Sequence, residues 1–312
     1  MRPLRSVAPE RESSMGRIVV IGSYNRDTVL RVARFPRPGE TLAATGMDRF
    51  HGGKGSNQAV AAARAGASVA LVAAIGADAA GRDAMALWAG EGIDAAAVST
   101  LDSLPTGEAL ILVDARGENE IVILAGANAA VPEGLAVAAV AGAALVVAQL
   151  ETPVAVTEAA FRAARAQGIP TLLNAAPARE LPDGLLALAD ILVVNETEAA
   201  LLLSRTAPPE ALAAALAPRH PRGVVLTAGA AGAYWARRDG VVVHAPAILT
   251  EVVDSTGAGD AFIGAFATAL AQGSAAEHAM RRGAVAGALA CRRAGAVPSL
   301  PTLAEIDAAT LQ

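Results

Sequence analysis

Ile191-Leu192-Val193-Val194-Asn195-Glu196-Thr197-Glu198 is an unbroken apolar run that ends in an amide and acidic residues. A run apolar at successive positions, not at alternate ones, belongs to a strand covered on both faces, and Asn is a residue type that starts helices. The pattern recurs in Ile18-Val19-Val20-Ile21, Val69-Ala70-Leu71-Val72, Leu145-Val146-Val147, Thr171-Leu172-Leu173 and Val224-Val225-Leu226, with helical stretches between. Parallel strands need crossovers, and Pro153 to Gln167 reads as one. The expectation is an α/β protein with a mainly parallel central sheet between two helical layers.

Open parallel sheets bind ligands beyond the carboxyl ends of their strands. Polar residues recur there: Asn25 and Asp27 after the first run, Glu151 after the third, then Asn174, Asn195 and Thr227. Any one of them reads equally as a cap or a turn former. Their recurrence predicts a polar rim.

Two stretches break the rhythm. Residues 28–50 hold short, charge-interrupted runs with Pro36, Pro38 and Gly39, and residues 107–124 read as two strands, Glu108 to Val113 and Glu120 to Leu124, around Asp114-Ala115-Arg116-Gly117. Together they predict a small β lid, one face of which substrate or a second subunit would cover. The main domain would then be 17–27, 51–106 and 125–312, after a flexible tail over 1–16 in which Met15 is an alternative start.

With 54% hydrophobic and 18% charged residues, most of the chain buries a core, and the 3% aromatic content favours layers of small aliphatic side chains. A net charge of −5 without a basic block argues against a nucleic-acid partner. The longest uncharged apolar run, Gly134 to Leu150, is too short and too weakly hydrophobic for a membrane span and reads as a helix followed by a buried strand. The single cysteine, Cys291, excludes an intrachain disulfide, fits a cytoplasmic setting and reads as an ordinary buried helix position.

Asp254-Ser255-Thr256-Gly257-Ala258-Gly259-Asp260 brackets a small-residue turn with two carboxylates and leads into a helix. Such a start presents unpaired N–H groups to an anion, with Asp260 placed to meet an attacking hydroxyl as base. His51-Gly52-Gly53-Lys54-Gly55-Ser56-Asn57-Gln58 reads as a second glycine-rich opening, before a helix over Ala59 to Ala65 that Gly66 closes. Lys54 is the only lysine of the chain, either a compact charge for a phosphate or a surface survivor. Gly55 after Lys54 excludes a Walker A loop, and Phe262 stands where a dinucleotide fingerprint needs its third glycine. The four histidines and Cys291 show no zinc spacing. Thr227-Ala228-Gly229-Ala230-Ala231-Gly232 reads as a phosphate wrap or as a plain strand-to-strand turn. Asn195 and Glu198 read as a site for hydrated Mg²⁺ or as a capping box.

Taken together, these motifs resemble the PfkB-type carbohydrate kinase family, and within it the ribokinase branch, from about Ile18 to Ser299. The resemblance rests on Gly22 to Asp27, Gly52 to Ala59, Ala125 to Ala130, Gln149 to Glu151, Asn174 to Arg179, Asn195 to Glu198 and Asp254 to Asp260. It implies a ribokinase-like three-layer αβα domain with a β-sheet lid, a cytoplasmic homodimer paired through that lid, and ATP-dependent phosphorylation of the 5-hydroxyl of D-ribose. Another sugar such as deoxyribose or a ketohexose, or a nucleoside, is the nearest alternative, and a silent sugar sensor the more distant one.

By the same resemblance, Asn25, Asp27, Gly53, Asn57 and Glu151 are sugar-binding positions, in a segment that includes Lys54, Gly55 and Ser56. Asp260 is the base and Gly257, Ala258 and Gly259 the anion hole, with Lys54 beside the transferring phosphate. Asn195, Thr227, Gly229 and Gly232, in the segment with Ala228, Ala230 and Ala231, contact nucleotide, and Glu198 is associated with Mg²⁺. Asp254, Thr256, Ala290, Arg293, Gly295 and Ser299 form a K⁺ loop. Three positions depart from the pattern: Ala284 near the base, Ala175 for proline and Ser255 for threonine. A carboxylate at a helix start is expected to stay ionised, so Asp260 reads as a weak base suited to late proton transfer.

Overall fold

The computed structural model describes residues 16–311. The expected tail, apart from Gly16, and the alternative start at Met15 lie outside them. In chain order the strands are β1 (Ile18–Ile21), β2 (Asn25–Arg31), β3 (Gly46–Gly52), β4 (Val69–Gly76), β5 (Asp94–Leu101), β6 (Gly107–Val113), β7 (Asn119–Leu124), β8 (Leu145–Ala148), β9 (Thr171–Asn174), β10 (Ile191–Asn195), β11 (Gly223–Thr227), β12 (Ala233–Ala236) and β13 (Val242–Ala245). The helices are α1 (Lys54–Arg64), α2 (Ala79–Gly90), α3 (Glu133–Ala139), α4 (Val154–Ala166), α5 (Asp183–Leu186), α6 (Glu196–Leu203), α7 (Pro209–Leu216), α8 (Ala258–Ala271), α9 (Ala276–Ala290), α10 (Ala296–Ser299) and α11 (Leu303–Thr310).

Nine strands form one sheet in the order β13-β12-β11-β10-β9-β8-β1-β4-β5. All its pairs are parallel except β11–β12 and β12–β13. Successive residues of β1 enter opposite cores, as a strand covered on both faces must. Ile18 and Val20 pack with Val60 of α1, Phe266 of α8 and Val285 of α9. Val19 and Ile21 pack in the other layer with Phe161 of α4 and Leu212 of α7. The run Gly134 to Leu150 divides into most of α3 and the buried strand β8, and among the described residues no helix is long and apolar enough to cross a membrane.

Strand β1 lies between β4 and β8, so chain progression along the sheet reverses there. A crevice opens at such a switch beyond the carboxyl ends of the strands. The turn after β1 and the residues after β8 therefore meet at one place. A second sheet of order β3-β2-β6-β7 is built from the two irregular stretches, with β2 and β6 parallel across a long separation in sequence. Asn25 and Asp27 belong to the first strand of that second sheet and not to a loop after β1.

Helix α1 differs from the sequence expectation. It begins at Lys54, not at Ala59, so Lys54 to Gln58 form its first turn. Gly53, with φ +86°, turns the chain from β3 directly into the helix, and a Cβ there would press on the backbone of Tyr24 and Asn25. The glycines that read as a loop are what permits the helix to start early.

Helices α1 and α8 touch through Gly264, where a Cβ would overlap Ala61 and approach Ala62 N to 2.7 Å. Replacing a helical glycine by alanine gains about 0.5–1 kcal/mol of backbone entropy, whereas overpacking costs about 1–3 kcal/mol. Gly264→Ala is therefore expected to lower the thermal midpoint; a raised midpoint would show that the contact yields freely.

Candidate active site

The site is assembled around the start of α1. A Cβ on Gly22 would overlap both the Gln149 side chain and Gly55, so this glycine lets the end of β1, the end of β8 and α1 converge. The N-cap residue Gly53 has no side chain to satisfy the first amides of the helix. Glu151, arriving from beyond β8, does so from outside: its Oε2 accepts from Lys54 N at 2.9 Å and from the Ser23 hydroxyl. Glu151 is thus a remote cap, with one oxygen held in place and Oε1 free of hydrogen bonds among the described residues.

Asn25 is set by Asn128, whose Nδ2 donates to Asn25 Oδ1 at 2.8 Å while its Oδ1 accepts from Tyr24 N at 3.0 Å. That leaves the Asn25 amide N–H groups for a ligand. Asp27 makes no hydrogen bond through its carboxylate among the described residues, and Gly52 on the neighbouring strand provides its space, since a Cβ there would overlap the carboxylate. Burial, reinforced by the charges of Glu151 and Asp260, pushes the Asp27 pKa up to about 7.

Asp260 occupies the third position of α8 and is 8% exposed. Asn57 Nδ2 donates to its Oδ2 at 3.0 Å and Gln58 Nε2 to its Oδ1 at 2.9 Å. Its pKa is raised, because burial outweighs the lowering by Lys54 and the two amides. This corrects the expectation from helix position alone: desolvation of the buried carboxylate exceeds the help of the helix end. For Lys54 burial favours the neutral amine, but Asp260, Glu151 and Glu198 together hold its pKa above the ordinary value. The ammonium forms no ion pair within 4 Å among the described residues, so its charge is shared among the three acids rather than given to one.

Neighbouring residues of the same segment face elsewhere. Ser56 is fully buried and its hydroxyl accepts from Trp88 Nε1 at 2.9 Å, while Gly55 packs against the backbone of Gly22 and Ser23. Both shape α1 and neither side presents to the site. Asn57 Oδ1, by contrast, is buried with no partner among the described residues, an acceptor in need of a donor.

Beside Asp260 opens a cleft of about 430 Å³. The turn between β11 and β12 supplies Thr227, Gly229, Ala230 and Gly232, the start of α8 supplies Ala258 and Gly259, and α9 supplies Ala284. Ala228 and Ala231 of that turn do not line it. No protein atom lies within 4 Å of where a Cβ on Gly259 would stand, so packing does not demand glycine there; what it keeps open is the cleft. Cys291 also lines this cleft and is half-buried, which corrects its reading as a buried core position. It lies at the frayed end of α9, where helical periodicity no longer predicts burial. A cavity of about 450 Å³ lies at the opposite end of β11 and β12, around Arg222 and Arg237, away from the polar rim.

Asn195 and Glu198 form a reciprocal capping box, each side chain accepting from the other's backbone N–H at 2.8 Å. Glu198 Oε1 remains unbonded, and burial, opposed by the Asn195 amide and by Lys54, raises the Glu198 pKa. Of the loop residues expected around a monovalent cation, Asp254, Thr256 and Gly295 are joined by hydrogen bonds. Asp254 Oδ2 accepts from Gly295 N and Oδ1 from Thr256 N and Oγ1, while Cys291 O accepts from Val253 N and Asp254 N. Ser299 Oγ donates to Ala296 O, Ala290 is buried, and Arg293 is paired with Glu305. Among the described residues no group of three or more His, Cys, Asp or Glu is placed to hold a metal. Both Asp254 oxygens already accept from this loop, so an alkali cation there would share the carboxylate with those donors.

Ser23, Asn128, Gln58, Gln149 and Asn174 are the residues whose work sequence reasoning did not assign. Their stretches were marked by glycine or acid neighbours, but a buried amide leaves no periodic signal.

A three-layer αβα domain with a second small sheet beside a buried carboxylate, and a cleft at a glycine-bounded helix start, is the architecture of an ATP-dependent carbohydrate kinase. The model of the pfkB family carbohydrate kinases matches residues 15–303. The chain is 39% identical over 295 residues to the ribokinase of Haemophilus influenzae, covering 92% of this chain and 96% of that one. It is 34% identical over 298 residues to the deoxyribokinase of Salmonella typhi, covering 93% and 97%. Among solved structures, Arabidopsis thaliana ribokinase complexed with ribose and ATP matches with a TM-score of 0.89 at 31% identity, covering 95% of this chain and 98% of that one. The chain belongs to the pfkB family of carbohydrate kinases.

A folded carboxyl with a pKa near 7 binds a proton that the unfolded chain, with its ordinary value near 4, has already lost across that interval. Asp27 therefore withdraws stability as pH rises from about 4 through about 7. Asp27→Asn is expected to resist urea better than the parent at pH 8, by on the order of 1–4 kcal/mol, with the advantage vanishing towards pH 4. Equal unfolding midpoints at pH 8 would contradict the shifted carboxyl.

Proposed function

We propose that the chain transfers the γ-phosphoryl group of ATP to the 5-hydroxyl of D-ribose, giving ribose 5-phosphate, with Asp260 as the base. The observation that carries this reading is the position of Asp260: fixed at both oxygens by Asn57 and Gln58, within the charge field of Lys54, at the mouth of the cleft bounded by Gly259.

Sugar hydroxyls are donors and acceptors, and the bowl offers both kinds of partner. Asp27 and Glu151 Oε1 accept, the Asn25 amide donates, and the unpaired Asn57 Oδ1 accepts. The 5-hydroxyl then lies against Asp260, which orients it and takes its proton as the new P–O bond forms and the bond to the leaving ADP oxygen breaks. Charge in that loose transition state spreads over the phosphoryl oxygens. The backbone N–H groups at Gly257 and Gly259, with no capping side chain to occupy them, and the Lys54 ammonium stabilise it, joined by Ala258 N–H once phosphate displaces its 3.2 Å bond to Ser255 O. A raised Asp260 pKa makes it a better proton acceptor than an ordinary carboxylate.

Asn195, Thr227, Gly229 and Gly232 hold nucleotide in this reading. Magnesium carried with ATP would neutralise phosphate oxygens, with Glu198 Oε1 available to its hydration shell. Potassium at the loop of Asp254, Thr256, Ala290, Arg293, Gly295 and Ser299 would add positive potential beside the anion hole. The four-stranded sheet acts as a lid over the sugar and as the dimer contact: Ile121, Val122, Ile123 and Leu124 of its edge strand are all more than half exposed, a patch that a second copy would cover.

The similarity to a deoxyribokinase keeps 2-deoxyribose as the second reading of the same bowl. A coupled ADP-release assay over ribose, 2-deoxyribose, fructose and nucleosides separates the candidates. Ribose is expected to give the highest kcat/KM, since a buried group built for a hydroxyl is left unpaired by the deoxy sugar. Equal or better turnover of 2-deoxyribose would move the assignment to that sugar, and no ADP release with any member would leave a sensor.

Asp260→Asn is expected to lower kcat by roughly 10²–10⁴-fold with little change in ribose binding, and near-normal turnover would remove Asp260 as base. Val122→Lys is expected to shift the sedimenting species from dimer to monomer; an unchanged species would place any dimer contact elsewhere.

A further inference from the structure

A buried chain of amides runs behind Asp260. Gln149, at the end of β8, and Gln58, on the first turn of α1, are each 1% exposed, and Asn174 at the end of β9 is 6% exposed. Gln149 Nε2 donates to Gln58 Oε1 at 2.7 Å. Gln58 Nε2 spends its two protons on Asn174 Oδ1 at 3.0 Å and Asp260 Oδ1 at 2.9 Å. Asn174 is in turn oriented by its Nδ2, which donates to the carbonyl of Val193, an acceptor only, at 3.3 Å.

The chain has a direction. A primary amide has one donor end and one acceptor end, and a flip exchanges them. Were Gln58 to flip, its oxygen would face Asp260 Oδ1 and Asn174 Oδ1, three acceptors together, and its NH₂ would face the NH₂ of Gln149. The acceptors Asp260 and Asn174 set the flip state in which Gln58 donates, and the donor on Gln149 satisfies the Gln58 oxygen that this state turns away from Asp260. We infer that Gln149, acting through Gln58, is a positioning residue that keeps a hydrogen-bond donor on the inner oxygen of Asp260 and so holds that carboxylate in its ionised, acceptor form.

Among the described residues the Gln149 side chain bonds only to Gln58. Its own Oε1 is buried without a partner, above Gly22. An apolar side chain of the same volume would exchange that orphaned oxygen for another, Gln58 Oε1, so stability would change little while the donor is lost. That contrast separates a positioning role from a packing role. The charged groups facing Asp260 are Lys54 from α1, Glu151 from beyond β8 and Asp27 from β2. Lys54 favours its ionised form and the two acids oppose it, so donors at its oxygens are needed to hold the balance. Asn57 supplies the donor at the outer oxygen and Gln58 the one at the inner oxygen.

The inference rests on Asp260 being the base, and the test distinguishes the two. Gln149→Met keeps volume and removes the donor. It is expected to fold with a little-changed thermal midpoint, to keep the KM for ATP, and to move the acid limb of the kcat/KM pH profile upward by about half to one unit. Gln58→Met, which removes the donor itself, should move the limb further. If Gln149→Met fails to fold, Gln149→Leu serves with the same two readings. A limb that coincides with the parent's in a folded variant overturns the amide chain. Asp260→Asn with turnover intact overturns the base and the chain together, whereas an inactive Asp260→Asn beside an unmoved limb overturns the chain alone.

Discussion

The first turn of α1 imposes the constraint from which the rest of the site follows. Gly53 supplies the backbone turn but no cap, so the helix start needs an acceptor from elsewhere, and Glu151 provides it across the end of β8. This bond can form only because β1 lies between β8 and β4, which brings the two chain exits to one crevice. Gly22 and Gly55 then allow helix and strand ends to touch backbone to backbone. With the helix start fixed, Lys54, Asn57 and Gln58 fall on the side that meets α8, and Asp260 is held from two directions.

The consequence is a concentration of charge in a buried place. Glu151, Glu198 and Asp260 stand around one lysine, Asp27 lies in the field of Glu151 and Asp260, and Asp27 and Asp260 are raised chiefly by burial. Folding works against that arrangement, and a polyol with several hydroxyl donors relieves it. The same groups that weaken the empty fold at neutral pH are the ones proposed to recognise sugar, a division between stability and function common at active sites. Such a site favours a ligand rich in hydroxyls, because each donor it brings meets an acceptor already dehydrated.

Local pattern carried much of this. Ile18 to Ile21 is β1 to the residue, the residues after each parallel strand form a rim, and Asn195 with Glu198 makes the capping box that was one of two readings of that segment. Other features depended on contacts that local pattern does not encode. The early start of α1 needs the positive φ of Gly53 and an acid 97 residues away. The upward shift of Asp260 depends on how deeply α8 is covered, which outweighs the helix-end effect visible in sequence. The placement of Asn25 and Asp27 on a strand of the second sheet follows from pairing with β6, and the amides of Gln58, Gln149 and Asn128 gain meaning only from their partners. Cys291 shows the converse, a residue with helical, apolar neighbours that ends up on the wall of a cleft.

Sugar hydroxyls that donate to the buried acids would favour their ionised forms, so sugar binding is expected to discharge a proton from them. Titration calorimetry of ribose at pH 7, repeated in buffers of different ionisation enthalpy, measures that proton. With the Asp27 pKa near 7 in the empty protein, about half a proton should be released per ribose bound, and the release should disappear in Asp27→Asn. A binding enthalpy independent of the buffer, with ribose bound normally, would contradict the central role given to the buried carboxylates.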